Sequence, residues 1–211
     1  MSAPATDWAV WHTAYEDPRS ALSRRLGVVR NQIRAALPAE LSEPFRVLSI
    51  CAGRGDDLIG ALRGYAHSDS VAARMIELDP RNVRVMTGLA RGAGLDLTIV
   101  QGDAADPTLY AGAVPADLVL LCGVLGNVSD DDARATVKAL PQMCRTGGTV
   151  VWTRSRRPPD LTPHIRRWLA ESGFVERSFI APVGEQFSVG SCTFLGETRP
   201  LGSARLFTFT R

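Results

Sequence analysis

The residues best suited to chemistry in this sequence follow short apolar runs typical of buried strands. Gly53 and Gly55 come directly after the run Val47–Cys51, and Glu77 stands near the end of the run Val71–Leu78. Glycines let the main chain turn sharply and leave no side chain between the backbone and a ligand. A carboxylate has two oxygens that can accept a pair of O–H donors. A strand, a glycine turn and a helix start, in that order, predict the nucleotide-binding corner of a doubly wound α/β sheet.

The glycine pair alone leaves two interpretations open, because many strand-to-helix turns need a glycine simply to turn. A dinucleotide fingerprint that begins at Gly53 would need a small residue at position 58, where the helix packs closely on the strand. Leu58 stands there, which disfavours a diphosphate ligand.

The segment Val47–Gly55 resembles motif I of the class I S-adenosylmethionine (SAM) methyltransferases, whose usual form is V-L-D-L-G-x-G-x-G. Ser49 stands where members of that family commonly have an acid that orients the amino group of the cofactor. Cys51 replaces the first glycine of the motif. Asp56 or Asp57 is an alternative partner for the methionine ammonium group, although capping of the following helix explains either residue equally well.

The resemblance continues after the next predicted strands. Glu77 matches the acidic residue that accepts the ribose hydroxyls in the family, and Asp79 is interpreted as the cap of the next helix. Asp103 and Ala104 match the positions that bind the adenine amino group and a ring nitrogen, although an Asp here can also simply form a turn. The resemblance implies that SAM is the cofactor and S-adenosylhomocysteine the product. The cofactor-binding positions that it implies are Ser49, Ala52, Gly53, Gly55, Glu77, Leu78, Asp103, Ala104, Cys122 and Gly123.

The fold that the resemblance implies is a doubly wound α/β domain with a seven-stranded, mostly parallel sheet in the order 3-2-1-4-5-7-6. The pair Gly147-Gly148 is expected to turn the chain into the fifth strand. The later strands are expected in a strand-rich end of the chain with Gly/Pro turns. The predicted strands after the second are Leu97–Val100, Asp117–Cys122, Thr149–Thr153, Phe174–Ile180, Phe187–Leu195 and Leu206–Thr210.

Residues 1–45 are interpreted as an aromatic segment and a helix that form a lid on the SAM-binding domain, residues 46–211. Packing alone is the alternative explanation of the aromatic cluster. The helix is expected to begin after Ser20 and to bury one apolar face, which leaves its arginines largely toward solvent. An arginine patch for RNA is the alternative. The aromatic cluster comprises Trp8, Trp11, His12 and Tyr15, the apolar face Leu22, Leu26, Val29, Ile33 and Leu37, and the arginines Arg24, Arg25, Arg30 and Arg34.

Length and composition predict one well-packed domain, because the chain has 211 residues of which 45% are hydrophobic. Its formal net charge of +2 does not require a nucleic-acid partner. The first residues lack a signal pattern, and the longest apolar stretch, Ala116–Val128, is too short to span a bilayer, so a cytoplasmic location without membrane contact is expected. The four cysteines and three histidines show no zinc or disulfide pattern, and no metal is expected.

The expected methyl acceptor is a small molecule or a peptide. The loop Gly123–Val128 lacks the (Asp/Asn/Ser)-Pro-Pro-aromatic signature with which amino-methylases of nucleic acids hold a flipped base. RNA methylation is the alternative, carried by Arg154, Arg156 and Arg157. Cys122 follows Leu rather than Pro, which favours a buried thiol over a catalytic nucleophile. A further alternative is a protein that binds SAM or a nucleoside without catalysis.

Methyl transfer from a sulfonium is an in-line displacement, so the protein contributes mainly positioning, plus a base if the acceptor is protonated. His12 is the candidate base or acceptor-orienting group, because it lies among aromatic residues and titrates in the useful range. Tyr15 is the candidate hydrogen-bond partner of cofactor or substrate, and Asn127 the candidate polar contact after the fourth strand. A histidine that merely packs among aromatic side chains is the alternative for His12.

Overall fold

The computed structural model describes residues 15–210, which form a single α/β sheet domain. Short 3-10 turns lie at Ser68–Ser70, Pro107–Tyr110 and Leu140–Gln142. The helices are α1 (Ala21–Ala36), α2 (Asp56–Leu62), α3 (Pro80–Gly92), α4 (Asp130–Ala139) and α5 (Thr162–Glu171). The strands are β1 (Phe45–Ile50), β2 (Val71–Glu77), β3 (Thr98–Gln101), β4 (Ala116–Leu121), β5 (Cys144–Ser155), β6 (Phe174–Ile180) and β7 (Phe187–Phe194).

The sheet has the order β3-β2-β1-β4-β5-β7-β6, which confirms the predicted arrangement. Strands β1 to β5 pair in parallel, whereas β7 pairs antiparallel with both β5 and β6. The chain order reverses between β1 and β4, and ligands of doubly wound sheets bind outside the carboxyl ends of the strands at such a point.

The core lies on both faces of the sheet, as the alternation along β4 shows. Leu118 and Leu120 pack with residues of α1, α2 and α3, while Val119 and Leu121 pack with residues of α4 and α5. All four side chains are fully buried. A strand that is apolar on both sides is typical of a parallel sheet covered by helices on each face.

The helix caps predicted at Ser20 and Asp79 are confirmed, whereas α2 begins after Gly55 and neither Asp56 nor Asp57 is its N-cap. The Ser20 hydroxyl accepts from the Ser23 N–H at 3.0 Å, and an Asp79 carboxylate oxygen accepts from the Arg81 N–H at 2.8 Å. Gly173, with φ +87°, follows the end of α5. The caps at Ser20 and Asp79 fix where α1 and α3 begin, and Gly173 marks where α5 ends.

The prediction for Gly147 and Gly148 is wrong, because β5 begins earlier and both glycines lie within it. The pairing register between β4 and β5 shifts in this stretch, and Gly147 has φ +84°. A Cβ on Gly148 would lie 2.9 Å from the Ala116 carbonyl oxygen. The glycines therefore form an irregularity inside a strand. A turn before a strand and an irregularity within one both favour glycine, so the sequence alone does not distinguish them.

The arginines of α1 do not simply face solvent as predicted. The Arg30 Nε donates to the Asp56 carbonyl at 2.9 Å, and an Arg34 nitrogen donates to the Gly60 carbonyl at 2.8 Å. The helix is thus joined to α2 through backbone carbonyls as well as through its buried apolar face.

The segment that follows β7 runs back from the amino edge of the sheet to its carboxyl edge. The Thr198 hydroxyl donates to the Cys144 carbonyl at 2.9 Å, and the Arg199 N–H donates to the Pro141 carbonyl at 2.9 Å. The expected strand Leu206–Thr210 is therefore wrong: Phe209 makes only an isolated antiparallel bridge to Val128. We call residues 205–210 the strap.

Two glycines offer opposite tests of this packing. A Cβ on Gly190 would lie 2.2 Å from the ring of Trp152, so Gly190→Ala should lower the free energy of unfolding by about 1–3 kcal/mol. Gly88 lies in α3 with no atom within 4 Å of such a Cβ, so Gly88→Ala should raise it by about 0.5–1 kcal/mol. Urea unfolding of both variants checks the pair, and equal effects would contradict the packing of Gly190 on Trp152.

Within residues 15–210, no helix is both long and apolar enough to cross a membrane. No group of three or more His, Cys, Asp or Glu side chains in the same range is placed to hold a metal ion.

Candidate active site

A cleft of about 1190 Å³ opens at the carboxyl edge of the parallel strands. Its floor comes from the loops that follow β1, β2, β3 and β4, and its sides come from the first turn of α1, the end of β5 and the loop between β6 and β7. A cleft of this size is large enough for a nucleoside-containing cofactor and a second small molecule.

The loop after β1 is held close to β2. The Ala52 N–H donates to the Ile76 carbonyl at 2.8 Å, and the Gly53 N–H donates to Glu77 Oε2 at 2.8 Å. Gly53 has φ +58°, a left-handed conformation that glycine adopts without strain. Cys51 has φ +57° although it is not glycine, so the position where the family motif has glycine keeps the glycine conformation. Burial raises the pKa of the Cys51 thiol well above its ordinary value.

Glu77 ends β2 with its carboxylate inside the cleft wall, 8% exposed. Oε2 accepts from Gly53, while Oε1 accepts from the Asp79 N–H at 2.9 Å and from the Asn82 amide at 3.3 Å. One carboxylate thus joins the loops after β1 and β2. Each carboxylate oxygen has two acceptor sites, so Oε2 retains capacity for a ligand hydroxyl.

Asp103 and Ala104 follow β3 and line the neighbouring part of the cleft. Asp103 Oδ1 accepts from the Ala105 N–H at 3.0 Å, and Oδ2 accepts from Arg205 of the strap at 2.8 Å. The turn-forming role predicted for Asp103 is thus filled by Oδ1 alone. Oδ2 instead binds Arg205, which lies 102 positions further along the chain.

The loop after β4 is fixed from two sides. The Gly123 N–H donates to the Thr153 hydroxyl at 2.9 Å, and the Asn127 amide donates to the Gly123 carbonyl at 2.5 Å. Asn127 lines the cleft and shapes the loop at the same time. Burial raises the pKa of the Cys122 thiol far above its ordinary value, so the thiol stays protonated and is a poor nucleophile.

Tyr15, Arg25 and Asp57 meet on the side of the cleft nearest α1. An Arg25 nitrogen lies 3.3 Å from the Tyr15 hydroxyl. Burial, and to a lesser extent the Asp57 carboxylate, raises the pKa of Tyr15, while Arg25 opposes the shift. Burial also raises the pKa of Asp57, although the Leu58 N–H donates to its Oδ1 at 2.7 Å. Tyr15 is consequently a neutral hydrogen-bonding group rather than a phenolate.

Another part of the cleft wall carries arginines and the loop between β6 and β7. Arg154, on β5, donates to the Leu125 carbonyl and keeps only 13% of its side chain exposed. The Arg157 Nε donates to the Gln186 amide oxygen at 2.6 Å. Arg156 points to Asp160 at 3.4 Å and does not line the cleft.

Most of the residues predicted from the sequence converge on the cleft. Ser49 and Gly55 do not line it: Ser49 is buried within β1, and Gly55 is the N-cap of α2. His12 lies outside the described residues, as do Trp8 and Trp11. The predicted residues that line the cleft are Tyr15, Ala52, Gly53, Glu77, Leu78, Asp103, Ala104, Cys122, Gly123 and Asn127.

Sequence reasoning missed three residues that shape this site. The helical pattern predicts a solvent-facing Arg25, and the aromatic cluster that precedes α1 in the sequence is the signal that could have indicated its place in the site. Thr153 and Phe209 carry no local signal, because each reaches the cleft through tertiary structure alone.

The sheet order, the helices on both faces and the cleft at the carboxyl edge define the fold of the class I SAM-dependent methyltransferases. No protein-family model matches the chain, and no curated protein sequence matches it. Because no sequence comparison matches, the structural comparison alone identifies the fold. The structural comparison does not identify the substrate.

Solved structures that this chain resembles include three methyltransferases or methylases. One is magnesium protoporphyrin IX methyltransferase from Synechocystis PCC 6803 with bound SAM (TM-score 0.67, 13% identity, 92% of this chain and 100% of that chain). The second is an rRNA methylase from Streptococcus thermophilus (TM-score 0.59, 10% identity, 80% of this chain and 95% of that chain). The third is an O-methyltransferase family protein from Burkholderia thailandensis (0.60, 15%, 80% of this chain), of which this chain spans only 57%.

Proposed function

We propose that this protein is an enzyme that transfers a methyl group from SAM to a small-molecule or peptide acceptor. The observation that carries the proposal is the convergence of Gly53, Glu77 and Asp103 in one cleft at the point where the strand order reverses. The donors and acceptors present fit SAM. A carboxylate at the end of β2 suits the ribose hydroxyls, and the left-handed glycine lets the main chain approach a ligand.

When bound, SAM supplies a methyl group that is attached to a sulfonium centre. The sulfonium centre, and not the methyl group, is the good leaving group. The chain then has to bind the cofactor, orient an acceptor in line with the methyl group and receive a proton if the acceptor loses one. His12 is proposed as the base, on the sequence argument alone. Tyr15 and Asn127 are proposed as hydrogen-bonding groups that orient the ligands, because both line the cleft.

The side of the cleft at the end of β5 supports a small acceptor over RNA. Of the three arginines proposed for an RNA site, Arg154 is mostly buried against the loop after β4, whereas the exposed Arg156 and Arg157 contact Asp160 and Gln186. A groove for the phosphate backbone would instead present a row of exposed cations directed at the phosphates. Magnesium protoporphyrin IX, named for one structural neighbour, is an example of a small acceptor handled by this fold.

Calorimetry with SAM and S-adenosylhomocysteine is the direct test. We expect binding of both, and absence of binding at millimolar ligand would remove the proposal. Formation of S-adenosylhomocysteine across a panel of acceptors then separates an enzyme from a protein that binds SAM without turnover. Affinity for bulk RNA that falls steeply with salt would favour the RNA alternative, because counterion release makes such binding salt-dependent.

Asp57 is proposed as the partner of the methionine ammonium group, in place of the motif I acid that Ser49 replaces. Asp57 lines the cleft and Ser49 does not. Its side chain is half-buried, and desolvation is the main cause of its raised pKa, so an added cation would stabilise the ionised form.

Asp57→Asn should raise the free energy of unfolding at pH 7 and weaken SAM binding. Because its pKa is higher in the folded chain than in the unfolded chain, ionised Asp57 destabilises the fold above the folded pKa. The gain from Asn should shrink as the pH falls, and vanish below about pH 4, where the unfolded carboxyl (pKa about 3.9) also becomes protonated. Urea unfolding at several pH values and calorimetry measure both effects.

Asp56→Asn is the matched control, since Asp56 lies 3.2 Å from Arg54 and already has a cationic neighbour. We expect no gain in stability from that variant. A loss of stability in Asp57→Asn, or unchanged SAM affinity, would contradict the role given to Asp57.

A further inference from the structure

The strap is tied to the two loops that flank one end of the cleft. Arg205 donates to Asp103 Oδ2 at 2.8 Å, and the Leu206 N–H donates to the Ala105 carbonyl at 2.9 Å. At its other end, the Thr210 N–H donates to the Asn127 carbonyl at 2.8 Å. The strap therefore bridges the loops after β3 and β4, both of which line the cleft.

A buried side chain and hydrogen bonds to α4 hold the strap against the carboxyl edge of the sheet. Phe207 is 2% exposed and belongs to the core on the α4 side of the sheet. The Thr136 hydroxyl of α4 donates to the Leu206 carbonyl at 3.2 Å, and the Thr208 N–H donates to Asp132 Oδ2 at 3.0 Å. Hydrogen bonds on both sides of Phe209 hold the backbone around it in place.

Phe209 itself enters the cleft. Its backbone pairs with Val128, and its ring meets Phe207 edge to face with centroids 5.4 Å apart. The residue lines the cleft together with Asp103, Ala104 and Asn127. An aromatic ring supported from behind by a buried second ring is a rigid apolar wall. Flat heteroaromatic bases bind well against such a wall.

We propose that Phe209 forms one wall of the pocket for the adenine base, and that Arg205 positions the Asp103 carboxylate at the edge of the same pocket. The inference rests on the proposed function, because it takes the base end of the cleft to be the end bounded by the loop after β3. The inference assigns part of the cofactor site to the strap, which lies beyond the seven-stranded sheet in the sequence.

Calorimetry with S-adenosylhomocysteine and with adenosine tests the role of Phe209. Phe209→Ala should weaken the binding of both ligands by the same factor, at least about fivefold, because base stacking on an aromatic side chain is lost. Phe209→Tyr should restore most of the affinity, and Phe209→Leu should restore less, since only the aromatic variant keeps the flat surface. Leu195→Ala is the matched control, because Leu195 is 63% exposed and lies outside the cleft.

A second readout keeps the test independent of folding defects. Phe209→Trp should give tryptophan fluorescence that S-adenosylhomocysteine quenches more strongly than it quenches the parent protein, because the indole would contact the base. Equal quenching in both proteins would overturn the proposal. So would affinity within twofold of the parent protein in Phe209→Ala, or a loss seen with S-adenosylhomocysteine and absent with adenosine. If the parent protein binds neither ligand, the proposed function itself fails; if it binds both and the variants do not differ, only the role of Phe209 fails.

Discussion

Glu77→Ala is expected to weaken SAM binding roughly 10- to 150-fold, which corresponds to the loss of about 1.5–3 kcal/mol for a charge-assisted hydrogen bond. The same change should lower the free energy of unfolding by about 1–3 kcal/mol, because the Gly53 N–H would lose its acceptor in a buried position. Both effects follow from one carboxylate that supports two loops and faces the ligand. Calorimetry with SAM and urea unfolding measure them separately.

Two further variants sharpen this result. Glu77→Gln keeps the shape of the side chain and one carbonyl acceptor, so it should lose less stability than Glu77→Ala while still binding SAM weakly. Glu176→Ala removes a carboxylate of β6 that Arg166 binds at 2.7 and 2.8 Å, outside the cleft, and should leave SAM affinity unchanged. Affinity within threefold of the parent protein in Glu77→Ala would contradict the ribose role.

Gly53→Ala should weaken SAM binding roughly 5- to 150-fold, because a methyl group added between the main chain and a bound ligand costs about 1–3 kcal/mol. The alanine would also adopt the left-handed conformation of Gly53 at a cost of about 1–2 kcal/mol in stability. Calorimetry and urea unfolding of the purified variant give the two numbers.

Gly64→Ala separates strain from the loss of binding. Gly64 has φ +79°, no atom lies within 4 Å of its would-be Cβ, and it does not line the cleft. Its alanine variant should therefore show the same loss of stability with normal SAM affinity. If both variants bind SAM alike, Gly53 serves only to turn the chain.

The strand runs and helix caps could be predicted because they depend on neighbouring residues. Asp79, for example, binds the N–H two residues ahead, and its type and the following proline are visible in the sequence. The sheet order came from the resemblance of motif I and of Glu77 to a known family. Each predicted strand boundary lies within two residues of the observed one except at β5 and in the strap.

The failures share a physical cause, which is long-range structure. Gly147 lies at a register shift inside β5 rather than in a turn before it, and only the pairing with β4 distinguishes the two cases. The α1 arginines find carbonyls on α2, and Phe209 reaches a cleft made by residues far earlier in the chain. A periodic sequence pattern carries information only about the helix or strand that contains the residue. It therefore predicts that such side chains face solvent or belong to an ordinary strand.

The strap also has a consequence for the order in which the molecule is assembled. Arg205 binds Asp103 across 102 positions of sequence, and Thr210 binds Asn127 across 83. Contacts between residues so far apart form late, because the entropy of closing the loop must be paid before the contact rewards it. All seven strands precede residues 205–210 in the chain, so they are synthesised first. The strap can therefore close its end of the cleft only after every strand of the sheet has been made.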